Sequence, residues 1–234
     1  LSTPEPRATL PVAHLKENRA DITRARDGGR AYPLGEAPRP RRRGTTPAKR
    51  AEQLIEIVRY LDCERPSHLR WKPSRTTTYC NIYAYDYCCL AGVYLPRVWW
   101  MDAALARIRS GSVLEAKYNS TVRELNANSL YDWLEDYGLL FGWQREMDVT
   151  ILQAAANNGE ACLIVAKRRD TNRPGHIVAV VPEHEGASAA RDSADNVQRP
   201  LQSQAGRNNH RFSSGSNTWW TGANFEFSAY WRHA

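Results

Sequence analysis

Apolar residues recur every three or four positions in the first part of the chain and gather into short unbroken runs in the last part, with the change near Gly159. Leu54, Ile55, Val58 and Leu61 follow Thr46-Pro47 at helical spacing, and Pro47 is tolerated in a first turn, so an amphipathic helix is expected from there to just before Pro66. A polar loop with Pro73, Ser74 and three successive threonines leads into Cys80-Asn81-Ile82-Tyr83-Ala84-Tyr85-Asp86-Tyr87-Cys88-Cys89-Leu90-Ala91. This reads as a second helix, capped by the threonines and ended by Gly92. Further helices are expected at 98–109, at 121–137 with Asn128 or Ser129 as cap, and at 148–157.

Beyond Gly159, Ala161 to Ala166 and Ile177 to Val181 are apolar runs bounded by charge, Pro and Gly, as in buried strands. Leu201 to Ala205 is expected to form another strand, as is Phe225 to Trp231, which places Phe225, Phe227, Ala229 and Trp231 on alternate positions. Helices first and strands second predict an α+β fold with no internal repeat.

Charge divides the chain differently. Residues 1–50 hold 12 Lys and Arg against 5 Asp and Glu, whereas residues 51–234 hold 20 of each. The net charge of +7 therefore belongs to the N-terminal part, which is rich in Pro, Gly and Arg and shows little apolar periodicity. Residues 1–48 are expected to be a disordered or docking segment, with Arg39 to Arg43 a solvated linker, and a chain starting near Thr46 is expected to keep the whole of the activity. Residues 49–234 form the expected domain, whose neutrality argues against nucleic acid as a partner. No run approaches the roughly 18 apolar residues of a membrane helix, and no secretory signal opens the sequence. Leu1 in place of Met suggests that the numbering begins inside a longer or processed protein.

Cys63, Cys80, Cys88, Cys89 and Cys162 have neither disulfide-scaffold nor zinc spacing. Cys80 stands apart because it heads a helix, where unpaired N–H groups and the helix dipole favour a thiolate. The others read as small buried hydrophobes. A nucleophilic thiol needs a base, and His176, between Gly175 and an apolar strand, is better placed than His14, His68, His184, His210 or His233. Phosphate-loop, dinucleotide, serine-hydrolase and H-E-x-x-H patterns are absent, so neither cofactor nor metal is expected.

The segments Thr78-Tyr79-Cys80-Asn81-Ile82-Tyr83-Ala84-Tyr85-Asp86 through Gly92, Pro174-Gly175-His176-Ile177-Val178-Ala179-Val180-Val181-Pro182 and Gln202-Ser203-Gln204-Ala205-Gly206 together resemble the papain-like cell-wall hydrolases of the NlpC and CHAP type. The resemblance spans about residues 70–231 and includes versions used as antibacterial effectors. It implies a nucleophile helix packed on an antiparallel sheet, catalysis by Cys80 and His176, and cleavage of peptide or amide bonds in peptidoglycan. It also implies a third polar residue on the next strand, for which Gln204 is the choice and Glu183, Asn208 and Asn209 compete.

Tyr79 and Asn81 flank the nucleophile and are expected to line the substrate cleft, although Asn81 equally suits the helix start. No Gln precedes Cys80 between Lys72 and Tyr79, so the Cys80 N–H is the one oxyanion donor expected, with a second unassigned. An effector of this kind would leave its cell without a signal peptide and act in a target periplasm. Its N-terminal segment would engage a secretion apparatus, and an immunity protein would cover its cleft. Two rival functions remain: a cysteine protease or deamidase acting on a host or rival protein, and a nucleic-acid binder using the basic segment. Seven tryptophans, Trp99, Trp100, Trp133, Trp143, Trp219, Trp220 and Trp231, suit core packing or, less simply, a sugar-stacking surface.

Overall fold

The computed structural model describes residues 10–16 and 19–234. Its helices and strands, in chain order, are α1 (Pro47–Leu61), α2 (Cys80–Ala91), β1 (Val98–Trp100), α3 (Asp102–Arg109), β2 (Val122–Glu124), α4 (Ala127–Tyr137), β3 (Gln144–Glu146), α5 (Val149–Asn157), β4 (Ala161–Arg168), β5 (His176–Val180), β6 (Ala190–Arg191), β7 (Val197–Arg199), β8 (Gln202–Ala205), β9 (Asn209–Ser213) and β10 (Phe225–His233). Short 3-10 turns occur at Leu69–Trp71, Gly138–Phe141 and Trp219–Thr221. The main sheet has six strands in the order β3-β10-β4-β5-β8-β9, every neighbouring pair antiparallel. The chain is therefore a mixed α/β protein with antiparallel sheets, as α+β requires.

Alternation along β4 and β5 builds two cores. Leu163, Val165, Ile177 and Ala179 face the larger one, with Leu54, Val58, Tyr83, Tyr87, Leu130 and Trp133 from α1, α2 and α4. Cys162, Ile164, Val178 and Val180 face a smaller one, with Leu152 and Ala156 of α5 and Trp220. Both faces of the sheet centre are covered, so these strands read as continuous apolar runs.

The α1, α2 and α5 spans agree with the apolar periodicity, and Gly92 ends α2 in a left-handed conformation with φ of 78°. Three expectations need correction. The α2 N-cap is Tyr79, with no side-chain cap from the threonines. Residues 98–100 and 122–124 pair as strands β1 and β2 where helix was expected, because two three-residue strands leave no period to read. Asn126, rather than Asn128 or Ser129, caps α4 by accepting the Ser129 N–H.

The basic segment is the largest departure. Residues 1–9, 17 and 18 lie outside the described residues, but 19–46 pack along the domain, with Ile22, Ala31 and Leu34 buried. The Arg39 to Arg43 run is no solvated linker. Arg41 Nη1 donates to Cys89 O at 2.6 Å, Arg42 N to Leu90 O at 3.3 Å and Arg42 Nε to Ala91 O at 2.9 Å. These are the last carbonyls of α2, which carry the negative end of its dipole; Cys89 O also accepts from the Gly92 N–H that closes the helix. Arg42 also reaches Gly159 O and Ala234 O, and burial pulls its guanidinium pKa down.

A chain starting at Thr46 would expose this helix end and lose the buried apolar residues of the segment. Leu34→Ala is expected to lower stability by about 2–5 kcal/mol in urea unfolding, the range for a large side chain removed from a packed core. A change below about 0.5 kcal/mol, the surface range, would mean that the segment is not part of the fold.

Candidate active site

The helix α2 enters the core at Cys80, and ten of its 12 residues are buried. Cys80 and Tyr83, three apart, share a helix face. Tyr83 Oη hydrogen-bonds Ser203 Oγ, which fastens that face to β8. The neighbours of Ser203 point to the opposite side of the strand. There Gln202 Oε1 accepts from Trp219 Nε1 at 2.9 Å, and Gln204 Oε1 accepts from His176 Nε2. Period-two geometry thus sets two glutamines side by side, one holding an indole and the other an imidazole.

The Gln204 amide is itself oriented, because its Nε2 donates to Asn208 O at 3.2 Å. With Nε2 of His176 engaged, Nδ1 is the ring nitrogen left for Cys80. Trp219 meets the imidazole edge to face, with ring centroids 4.6 Å apart. Gly175 places the start of β5. A Cβ there would stand 2.4 Å from Ala166 O and 2.5 Å from Asn128 Oδ1. Asn128 needs that closeness, since it accepts from Arg168 N at 2.9 Å and donates to Arg173 O at 3.0 Å, joining α4 to both ends of the β4–β5 turn.

Electrostatics separate this thiol from the others. Burial pushes the Cys80 thiol up, but the charge and hydrogen bond of His176, helped by the Ile177 and Asn81 N–H groups, hold its pKa below the ordinary value. Burial pulls His176 down, yet the Cys80 sulfur and Gln204 raise it above its usual value. Both directions favour a thiolate–imidazolium pair. By contrast, burial raises Cys63 to about 12 and pushes Cys88 and Cys162 higher still.

The pair lies between two cavities that share Thr76, Thr78 and Pro174. One of about 300 Å³ is lined by Tyr79, Cys80, Asn81, Arg30 and Arg97; the other, of about 580 Å³, by His176, Gln204, Trp219 and Arg168. Tyr79 and Asn81 are therefore beside the thiol. The Tyr79 ring lies under the Arg30 guanidinium at 3.9 Å, and the Asn81 Nδ2 is committed to Leu125 O at 2.8 Å. Asn81 thus anchors α2 to the chain before α4.

The structure brings Cys80, His176 and Gln204 together; of the competitors, Asn208 lies beside them in the same cavity and meets Gln204 through its main-chain carbonyl, whereas Glu183 and Asn209 are held elsewhere. Glu183 is bound by Arg191, Asn157 and the Ala189 N–H, which draw its carboxyl down to about 2. Asn209 donates to Cys63 O and Trp71 O. Six of the seven tryptophans considered for sugar stacking are buried core residues; only Trp219 reaches a cavity, and its contact with His176 carried no signal in the sequence. Among the described residues no three His, Cys, Asp or Glu side chains gather as a metal site.

An arrangement of this kind can deliver a thiolate to an electrophilic carbon and return a proton from the imidazolium. Iodoacetamide labelling of Cys80 is expected to remain fast at pH values where an ordinary thiol is protonated. It falls off only as pH drops through the lowered thiol pKa, and His176→Ala should move that limb to higher pH. A limb at the ordinary thiol position in the unsubstituted protein would remove the ion pair. Gly175→Ala should cost about 1–3 kcal/mol in thermal or urea unfolding through the forced shift of β5.

No known family model matches the chain, and no curated protein matches it.

Proposed function

We propose that the chain is a papain-like thiol hydrolase that cleaves peptide or amide bonds of bacterial peptidoglycan. The single observation that carries the reaction class is the line Cys80–His176–Gln204, with a thiol pKa lowered against its own burial. The papain-like architecture is supported by the nucleophile heading a buried helix, the base opening a strand and the orienting amide on the neighbouring strand. Peptidoglycan as substrate rests on the family resemblance of those segments.

In this reading the Cys80 thiolate adds to the carbonyl carbon while the oxyanion faces the Cys80 N–H, one of the unpaired donors that open α2. His176 gives its proton to the leaving amine, the amine departs, and an acyl-enzyme remains. Water, deprotonated by the now neutral His176, releases the acid and restores the thiol. Gln204 keeps the proton-bearing Nε2 turned away from the sulfur. No cofactor takes part.

The cellular setting follows from the same resemblance: export without a signal peptide, action in a target periplasm, an N-terminal segment that engages the secretion apparatus and an immunity protein over the cleft. A protease or deamidase acting on a protein would use the same residues. The nucleic-acid reading is weakened by Arg41 and Arg42, whose side chains are spent on the end of α2.

Purified peptidoglycan incubated with the protein should release new amine and carboxyl ends identifiable by mass spectrometry. Cys80→Ala should abolish release, His176→Ala should reduce it by several orders of magnitude, and Gln204→Ala by roughly 10–10³-fold. The unsubstituted protein should lyse bacteria when sent to the periplasm and be harmless in the cytoplasm. Turnover by Cys80→Ala at the original rate, or cytoplasmic toxicity that survives that substitution, would refute the proposal.

A further inference from the structure

The two cavities beside the thiol differ in charge. In the smaller one, on the cysteine side, each cation has a carboxylate partner: Arg30 pairs with Asp27 at 2.7 Å, and Arg97 pairs with Glu124. The 580 Å³ cavity on the histidine side is lined by Arg168, Arg173 and Arg207 and by no Asp or Glu. None of these three arginines forms an ion pair among the described residues. A body with 20 cationic and 20 acidic residues after position 50 has thus left three positive charges together, beside its reactive histidine.

Arg168 is the most enclosed of the three. Its Nε donates to Pro174 O at 3.1 Å and its guanidinium lies 4.7 Å from the centre of the Phe225 ring, so its stem is fixed without help from an acid. Arg173 and Arg207 are exposed at the rim. A guanidinium is always charged and offers a planar fork that suits a carboxylate, and one-signed clefts concentrate ions of the opposite sign. The reaction direction says which half of a substrate meets them. The imidazolium must hand its proton to the departing amine, so the space on the histidine side belongs to the leaving group.

We propose that the larger cavity is the leaving-group subsite and that it selects a leaving amine bearing a free carboxylate, held by Arg168, Arg173 and Arg207. This rests on the thiol hydrolase reading above and adds the polarity of the substrate: an anionic peptide or amino acid on the amine side and a neutral acyl half on the cysteine side. The carboxylate is either the terminal carboxylate of the released residue or a side-chain carboxylate next to the cut bond.

Alkylation of Cys80 in the full chain tests this without knowledge of the substrate. Iodoacetate and iodoacetamide perform the same displacement of iodide by sulfur and differ in charge. The rate of each at Cys80 is followed by peptide mass mapping at low ionic strength. The iodoacetate-to-iodoacetamide ratio should fall about tenfold or more in Arg168→Gln/Arg173→Gln/Arg207→Gln, the lower end of the range for focused charge, and by a smaller factor in Arg173→Gln/Arg207→Gln, which alters only rim residues. Using the ratio cancels any change in thiolate content, and the rim variant serves if loss of Arg168 unfolds the chain. Fast labelling by both reagents with an unchanged ratio overturns the subsite and leaves the hydrolase reading standing. Labelling no faster than an ordinary thiol overturns both.

Protection of Cys80 from iodoacetamide then separates the sources. Glycylglycine protects if the terminal carboxylate is recognised, and N-acetyl-glutamate α-amide, blocked at its own terminal carboxylate, protects if a side-chain carboxylate is. Protection by inorganic phosphate and by neither carboxylate would replace the proposal with a phosphate site.

Discussion

The whole arrangement depends on burying a helix that still contains charge and phenol. In α2 only Asn81 and Cys89 are less than buried, so every polar group of Tyr83, Asp86 and the helix ends has to find a partner inside the protein. Asp86 is met by Arg70 through two bonds, of 2.6 and 2.9 Å, and by Trp71 Nε1 at 2.9 Å. Such a pair is worth little over apolar packing, but removing either member strands a charge, so it fixes one position for the helix. Arg70 is in turn tied to the N-terminal segment. It donates to Tyr32 O, its own carbonyl accepts from Arg30 Nε, and Arg30 O accepts from Arg97 Nε. The segment with all the surplus positive charge is therefore what completes the surroundings of the nucleophile helix: its middle holds the Asp86 partner and its Arg41 and Arg42 close the far end.

A helix fixed in this way can deliver a side chain to a sheet with little freedom. Tyr83 meets Ser203 on one face of β8, and Gln204, the next residue, emerges on the other face to meet His176. The position of the base relative to the nucleophile thus follows from one strand's pleat together with the close approach of Gly175 to Ala166 and Asn128. Cys63 Sγ, 3.3 Å from Gln204 O, and Asn209 hold the same strand pair from the α1 side. The site is assembled by main-chain geometry, and its side chains come from elements that pack for other reasons.

The sequence made legible what local chemistry decides. The periods of α1, α2 and α5, the apolar runs of β4 and β5, and the polar strand carrying Gln204 all appear where the pattern puts them. Cys80 and His176 stand out in the sequence because each begins an element whose pattern is plain, whereas Gln204 is singled out only through the family resemblance; the structure brings the three side chains together. What escaped was set by long-range contact. Strands β1 and β2 exist because they pair with each other, and β3 because it pairs with the edge of β10. The apolar residues Ile22, Ala31 and Leu34 follow no period, since their segment is an irregular strap whose side chains fill gaps between elements. Its arginines looked solvated for the same reason: a side chain that caps a distant helix end leaves no local trace.

The cysteines isolate what the site adds beyond burial. Cys63, Cys80, Cys88 and Cys162 are all buried, and transfer from water raises a thiol pKa in each case. Cys88 lies two helical turns beyond Cys80 on the same helix, where its N–H is spent on the helical ladder, so the main chain there offers the sulfur nothing. At Cys80 the N–H groups of Asn81 and Ile177 are still available, the first because a helix begins there and the second because a strand does. Those donors and one imidazole reverse the effect of the same desolvation. The reversal requires the imidazole to keep its proton while the thiol gives its proton up, which Gln204 assists from the other nitrogen and Arg168 opposes from the larger cavity. Arg168 is the smallest of these influences on His176, so the sulfur and Gln204 prevail and the imidazole stays raised above its usual value.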